Sequence, residues 1–107
     1  MRFNVIVEDQ TYPFEVPDYI VDEGEEFFAK LDRDMDQGYQ MSRTWVENPD
    51  RLKRCQIVAD RILDAIHRDN QKLAIMMAAY ILARMPGVTG VRLSVEGDML
   101  EHDFDMR

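Results

Sequence analysis

Leu73-Ala74-Ile75-Met76-Met77-Ala78-Ala79-Tyr80-Ile81-Leu82-Ala83 is the stretch that decides how this chain folds. Wound as a helix, it is apolar on every side, so it must be buried on several faces and lie at the centre of a domain. Its eleven residues fall well short of the roughly 20 that a bilayer-spanning helix needs. Asp69-Asn70 breaks the preceding helix and caps this one, and Met85-Pro86-Gly87 stops it.

Working towards the N-terminus, Asn48-Pro49 is the clearest punctuation. Asn suits a helix cap and Pro the first helical position, which predicts a helix from about Pro49 to Arg68. Leu52, Cys55, Val58, Ala59, Ile62, Leu63 and Ile66 form its apolar face. Arg51, Lys53 and Arg54 crowd its first turn, where the helix dipole favours acids. They call for a compensating anion, supplied either by the acidic helix upstream or by a bound phosphate or carboxylate. That upstream helix opens at Pro17-Asp18, capped by Asp18 or by Asp22 with Glu25. Its stripe is Ile20, Gly24, Phe27, Phe28, Leu31 and Met35. Gly38 ends it or loosens it, and the stripe can be continued through Ser42, Trp45 and Val46.

Strands flank the helices. Phe3, Val5 and Val7 alternate along one, and Tyr12, Phe14 and Val16 along the next, with Asp9-Gln10-Thr11 between them. Pro13 cannot donate to a ladder and favours an edge position for the second strand. After the central helix, Val91, Leu93 and Val95 alternate, Glu96-Gly97-Asp98 turns the chain, and Met99 to Phe104 return. The order ββαααββ reads as a single α+β domain over residues 1–107, an antiparallel sheet of about four strands packed on three helices.

Composition agrees with a globular chain: 46% hydrophobic and 32% charged residues exclude a disordered one. The net charge of −8 argues against nucleic acid, whose binding draws on phosphate neutralisation. The charge is uneven: −9 over residues 1–50, +4 over 51–90 and −3 over 91–107. Segments of opposite sign either pack beside each other or leave an acidic patch for a basic partner. Met1-Arg2 leads directly into a strand, unlike a signal peptide, and one cysteine allows no intrachain disulfide. The expectation is a soluble cytoplasmic protein without membrane segments.

Asp32, Asp34 and Asp36 occupy the first three ligand positions of an EF-hand loop. Glycine comes one place late, at Gly38, and Arg43 stands where the bidentate glutamate belongs, so that loop is excluded. On a helix, Asp32, Asp36 and Gln40 share a face, which leaves Asp32 and Asp36 as a loose metal alternative or as a solvated face. Tyr39, Gln40, Met41, Arg43 and Trp45 follow. Tyr, Met, Arg and Trp are the types enriched at contact anchors, although a lone tryptophan also serves to cap a core. Cys55 on an apolar stripe is a small hydrophobe. His67 lies about 18 Å further along the same helix at 1.5 Å per residue, so the two cannot form a dyad. No zinc set and no phosphate loop can be assembled, the Gly87–Gly90 turn lacking a lysine, and no cofactor is expected.

Phe14-Glu-Val-Pro-Asp18, the segment from Phe27-Phe28 to Pro49, Arg54-Cys-Gln56 and Tyr80-Ile-Leu-Ala-Arg-Met-Pro-Gly-Val88 together resemble a family of small bacterial proteins with no known activity. The resemblance implies a bacterial cytosolic origin and transfers no functional residue. The residues point first to a non-enzymatic interaction or self-associating module working through Tyr39–Trp45, with a protein partner or a homo-oligomer. A small-ligand or metal-binding domain comes second and an enzyme third.

Overall fold

A computed structural model describes residues 1–107. Its elements are β1 (Arg2–Val7), β2 (Gln10–Glu15), α1 (Asp18–Glu23), α2 (Glu25–Met35), β3 (Tyr39–Met41), β4 (Thr44–Val46), α3 (Arg51–His67), α4 (Gln71–Arg84), β5 (Val88–Leu93) and β6 (Asp103–Met106). A 3-10 turn, Met99–Glu101, precedes β6. The class is α+β, and strands bracket the helices in the expected order. No helix is long and apolar enough to cross a membrane.

The main sheet runs β2-β1-β5-β6. It is mixed, not wholly antiparallel, because β1 and β5 pair in parallel at its centre. A parallel neighbour requires a long crossover, and the helical span between these two strands supplies it. Gly90 makes the pairing possible: a Cβ there would stand 2.2 Å from the Asn4 carbonyl oxygen. Phe3, Val5 and Val91 point from these strands into the core, fully buried.

β1 and β2 form the expected hairpin, with a tighter turn at Glu8-Asp9 and Glu8 at φ +56°. Met1 and Val16 exchange main-chain hydrogen bonds of 2.6 and 2.7 Å. By alternation, the main-chain groups of Phe14 and Tyr12 also turn towards β1, and those of Pro13 turn outward. Pro13 therefore removes a donor from the free edge and costs the ladder nothing, a common way to blunt an edge strand.

The expected first helix is two helices, which raises the count to four. Gly24 separates α1 from α2. A Cβ at Gly24 would meet the Ile20 carbonyl at 2.5 Å and the Phe28 ring at 2.7 Å, so only glycine lets Phe28 pack so closely. α3 is capped by Asp50, which accepts from the Lys53 N–H at 2.9 Å, and not by Asn48. Asn48 instead takes φ +42°, and α4 is capped by Asn70 as expected. Cys55, Val58, Ala59 and Ile62 of α3 meet Ala74, Met77, Ala78 and Ile81 of α4 inside one core of 23 buried residues. Leu52, expected on that apolar face, stays 50% exposed. The last strand starts later than expected because Asp98 caps the 3-10 turn at Leu100 first.

Candidate functional site

The stretch from Asp32 to Trp45 divides at Gly38. Its first part ends α2 and is tied into the helices; its second part is a hairpin on the surface.

Asp32 sits between three helices. Its Oδ1 accepts from the Tyr80 hydroxyl, and its Oδ2 accepts from Arg84 Nε and Nη2 at 3.0 and 2.9 Å. Arg84 also grips Glu25 through Nη1 and Nη2 at 2.6 and 2.7 Å. The guanidinium lies over the rings of Phe28 and Tyr80, 5.8 and 5.4 Å from their centres, where the ring faces attract a cation. From the other side comes Arg54. It donates to the Asp32 main-chain oxygen at 3.2 Å, the Pro49 carbonyl at 2.6 Å and Asn48 Oδ1 at 2.9 Å, and pairs with Asp36 at 2.9 Å. The acidic helix is thus the anion that Arg54 required.

The electrostatics follow from these contacts. Burial alone would raise the Asp32 carboxyl, but the hydrogen bonds from Tyr80 and Arg84 outweigh it and hold the group below its ordinary value. Burial, then the hydrogen bond to Asp32, pushes the Tyr80 hydroxyl far up, so it stays a donor. Asp32 and Asp36, the metal alternative, both face arginine. No three His, Cys, Asp or Glu side chains gather to hold a metal ion. Tyr80, Arg84 and Glu25 escaped the sequence reading. The available signal was a tyrosine hydroxyl and an arginine four residues apart, on one face of an otherwise apolar helix.

The hairpin explains why the first helix does not continue past Gly38. α2 stops at Met35, and the Gly38 N–H closes on the Met35 carbonyl at 3.1 Å. Gly38 takes φ +125°, and a Cβ there would stand 2.6 Å from the Trp45 ring. Glycine is needed for both reasons. Tyr39 pairs with Val46, Gln40 with Trp45 and Met41 with Thr44, across a turn at Ser42-Arg43 with Ser42 at φ +59°. That turn has none of the Asn-Gly or Asp-Gly signals that mark a tight hairpin in a sequence.

The five expected contact residues separate by face. Met41 is fully buried and belongs to the core, so it anchors the hairpin and offers no contact surface. Tyr39 is half-buried against the core. Gln40 and Trp45 share the outer face, and Trp45 is 57% exposed. It lies on Gly38 and does not cap the core. Arg43 is exposed at the turn and pairs with no acid. Ser42 Oγ accepts from the Met99 N–H at 3.0 Å, which fastens the turn to the C-terminal segment.

Cys55 and His102 are both buried. Burial pushes the Cys55 thiol up to about 12, which leaves it without thiolate character at neutral pH. His102 Nδ1 accepts from the Ser94 N–H at 2.9 Å and Nε2 faces Asp60 at 3.0 Å, so both ring nitrogens are occupied.

Fold and site together define a small α+β domain that presents an aromatic hairpin to solvent. No family model, no curated protein and no solved structure matches the chain. The functional reading rests on the hairpin's geometry.

Proposed function

We propose that this protein is a non-enzymatic interaction module, set in a bacterial cytosol, whose contact surface is the outer face of the β3–β4 hairpin. The observation that carries it is Trp45. The only tryptophan of the chain is more than half exposed, yet it is held against Gly38 on a hairpin pinned by Met41 and Ser42. An exposed, positioned tryptophan with an unpaired Arg43 and a Gln40 amide beside it matches the anchor chemistry of contact sites. Such an anchor loses little freedom on binding because its position is already fixed.

The partner is another protein or a second copy of this one. Trp45→Ala leaves the melting temperature nearly unchanged and abolishes association. Sedimentation of the purified protein, and capture of its partner from a bacterial lysate with the variant as control, read this out. Association that is equal in wild type and Trp45→Ala, or none in either, removes the proposal.

A small-ligand reading has one observation in its favour. A groove of about 460 Å³ lies between β2 and the α3–α4 turn, lined by Phe14, Ile66, Ala74 and Ile75 and rimmed by Asp69 and Gln71. Its size suits a small organic molecule. A ligand present at about a hundred times its dissociation constant adds about 2.7 kcal/mol of stability, which a thermal-shift screen detects.

A further inference from the structure

The geometry points to a second surface, independent of the hairpin: the free edge of β6 takes an extended peptide that alternates basic and apolar residues. Of the two sheet edges, β2 is blunted by Pro13, and β6 pairs with β5 alone. The main-chain direction along β6 can be read from its partners. The Asp105 carbonyl accepts from Thr89 Oγ1 at 3.1 Å, and the Arg107 N–H donates to the Gly87 carbonyl at 2.7 Å. Residues 105 and 107 therefore turn their main-chain groups to β5, and alternation turns those of Phe104 and Met106 outward. Just upstream, Gln56 Nε2 donates to the carbonyls of Leu100 and His102 at 3.0 and 3.1 Å. A side chain of α3 thus satisfies the start of this edge, and the ladder positions that follow are open.

The pleat assigns a chemistry to each face of the strand that would fill them. Phe104 and Met106 point to the helical layer. There a groove of about 550 Å³ runs along β6, its floor formed also by Leu52, Met85 and Leu100, with the carboxylates of Glu101 and Asp103 on its lining. Leu52 is 50% and Met106 53% exposed, so the sheet ends one strand short of covering α3. Inward side chains of an added strand must be apolar to bury them. On the other face lie Asp103 and Asp105. Asp105 pairs with Arg92 at 3.1 Å, and Asp103 is paired with no cation. Glu101 at the mouth of the groove takes only the Ser94 hydroxyl. Outward side chains of the added strand meet these carboxylates and must be basic. A second copy of this chain is excluded as the occupant by the same reasoning, because it would lay its own Asp103 and Asp105 against the first pair. Main-chain hydrogen bonds supply the attachment, and the alternating faces supply the selectivity.

A capped synthetic peptide of about eight residues, alternating lysine and valine, is the probe. Titrated into the ¹⁵N-labelled full chain, it is expected to shift the amides of Phe104 and Met106 saturably, and more weakly at high salt. Glutamate in place of lysine, or N-methylation along one edge of the peptide, abolishes the effect. Leu52→Asp weakens binding by at least about tenfold. Asp103→Lys weakens it by replacing an exposed carboxylate at the groove's rim and removes no apolar contact, so a loss of binding does not depend on one variant's folding. Trp45→Ala leaves the affinity unchanged, which separates this surface from the hairpin. The inference is overturned if the β6 amides do not move or if the N-methylated peptide binds equally. It is also overturned if the same amides shift on dilution of the protein alone, which would make a second copy the occupant.

Discussion

At the scale of single residues, Asp32 does the most to hold the helices together. One carboxylate satisfies a tyrosine from α4 and two arginines from different helices. Its side chain is 24% exposed, so its charge is only partly desolvated, and losing it is expected to cost about 2 kcal/mol. Asp32→Asn keeps the shape and removes the charge. The pH dependence has a definite sign. Asp32 is held below its ordinary pKa of 3.8 in the folded state. Its contribution is therefore complete above that value and is lost as pH falls through the lower folded one. Urea titrations of wild type and variant should show a constant stability gap from about pH 7 to about pH 5, closing in more acidic solution. A gap that persists at low pH would mean that the charge is not what Asp32 contributes.

At the scale of elements, what the sequence made legible depended on whether the signal was local. The alternation in β1 and β2, the cap at Asn70 and the apolar α4 are all local patterns, and all three elements are found where their patterns lie. The break at Gly24 was not legible, because the spacing of Ile20, Phe27 and Phe28 suits one continuous helix. What splits it is the backbone at Gly24, whose ψ of +10° leaves the helical range, at a position where the Phe28 ring leaves no room for a Cβ. The cap of α3 was misplaced by two residues because Asn48, Pro49 and Asp50 offer overlapping signals. Asn48 is diverted to Arg54, and Asp50 does the capping. The β3–β4 hairpin was hidden for a similar reason. Its strands are three residues each, and its turn relies on Ser42 in a left-handed conformation. Within the site, Trp45 was picked out from its type alone. The burial of Met41 was not, since that depends on which hairpin face turns inward.

The same element yields a sharp mutational test. Gly38→Ala places a methyl group both in a strained conformation and against the Trp45 ring. We expect a loss of about 1–3 kcal/mol, a wider range than the usual glycine effect because backbone and ring both resist. The tryptophan fluorescence of the variant should also change, since the indole can no longer rest on the chain. An unchanged emission spectrum would show that Trp45 is not seated on Gly38. Contact through Trp45 should fall in the same variant, linking the hairpin's backbone to the proposed function.

At the scale of the whole molecule, the uneven charge of the chain becomes an arrangement in space. The acidic α2 is held to the basic α3 and α4 by Arg54 and Arg84, which approach Asp32 from opposite sides. The parallel pairing of β1 with β5 is also settled at this scale, because no local pattern records which strand the chain returns beside. Two cations sharing one carboxylate should not act independently. Removing Arg84 leaves Asp32 with Arg54 and Tyr80; removing both arginines leaves a partly buried carboxylate held by Tyr80 alone. Arg54→Gln and Arg84→Gln are therefore expected to couple, with an interaction energy of about 1–2 kcal/mol in a double-mutant cycle. The coupling should shrink in the Asp32→Asn background, where the shared charge is gone, and should survive moderate salt because Arg54 is only 14% exposed. Additive losses in the wild-type background would mean that each arginine holds its own helix separately, Arg54 through Pro49 and Asp36 and Arg84 through Glu25. The helices would then be fastened at their edges and not through the carboxylate between them.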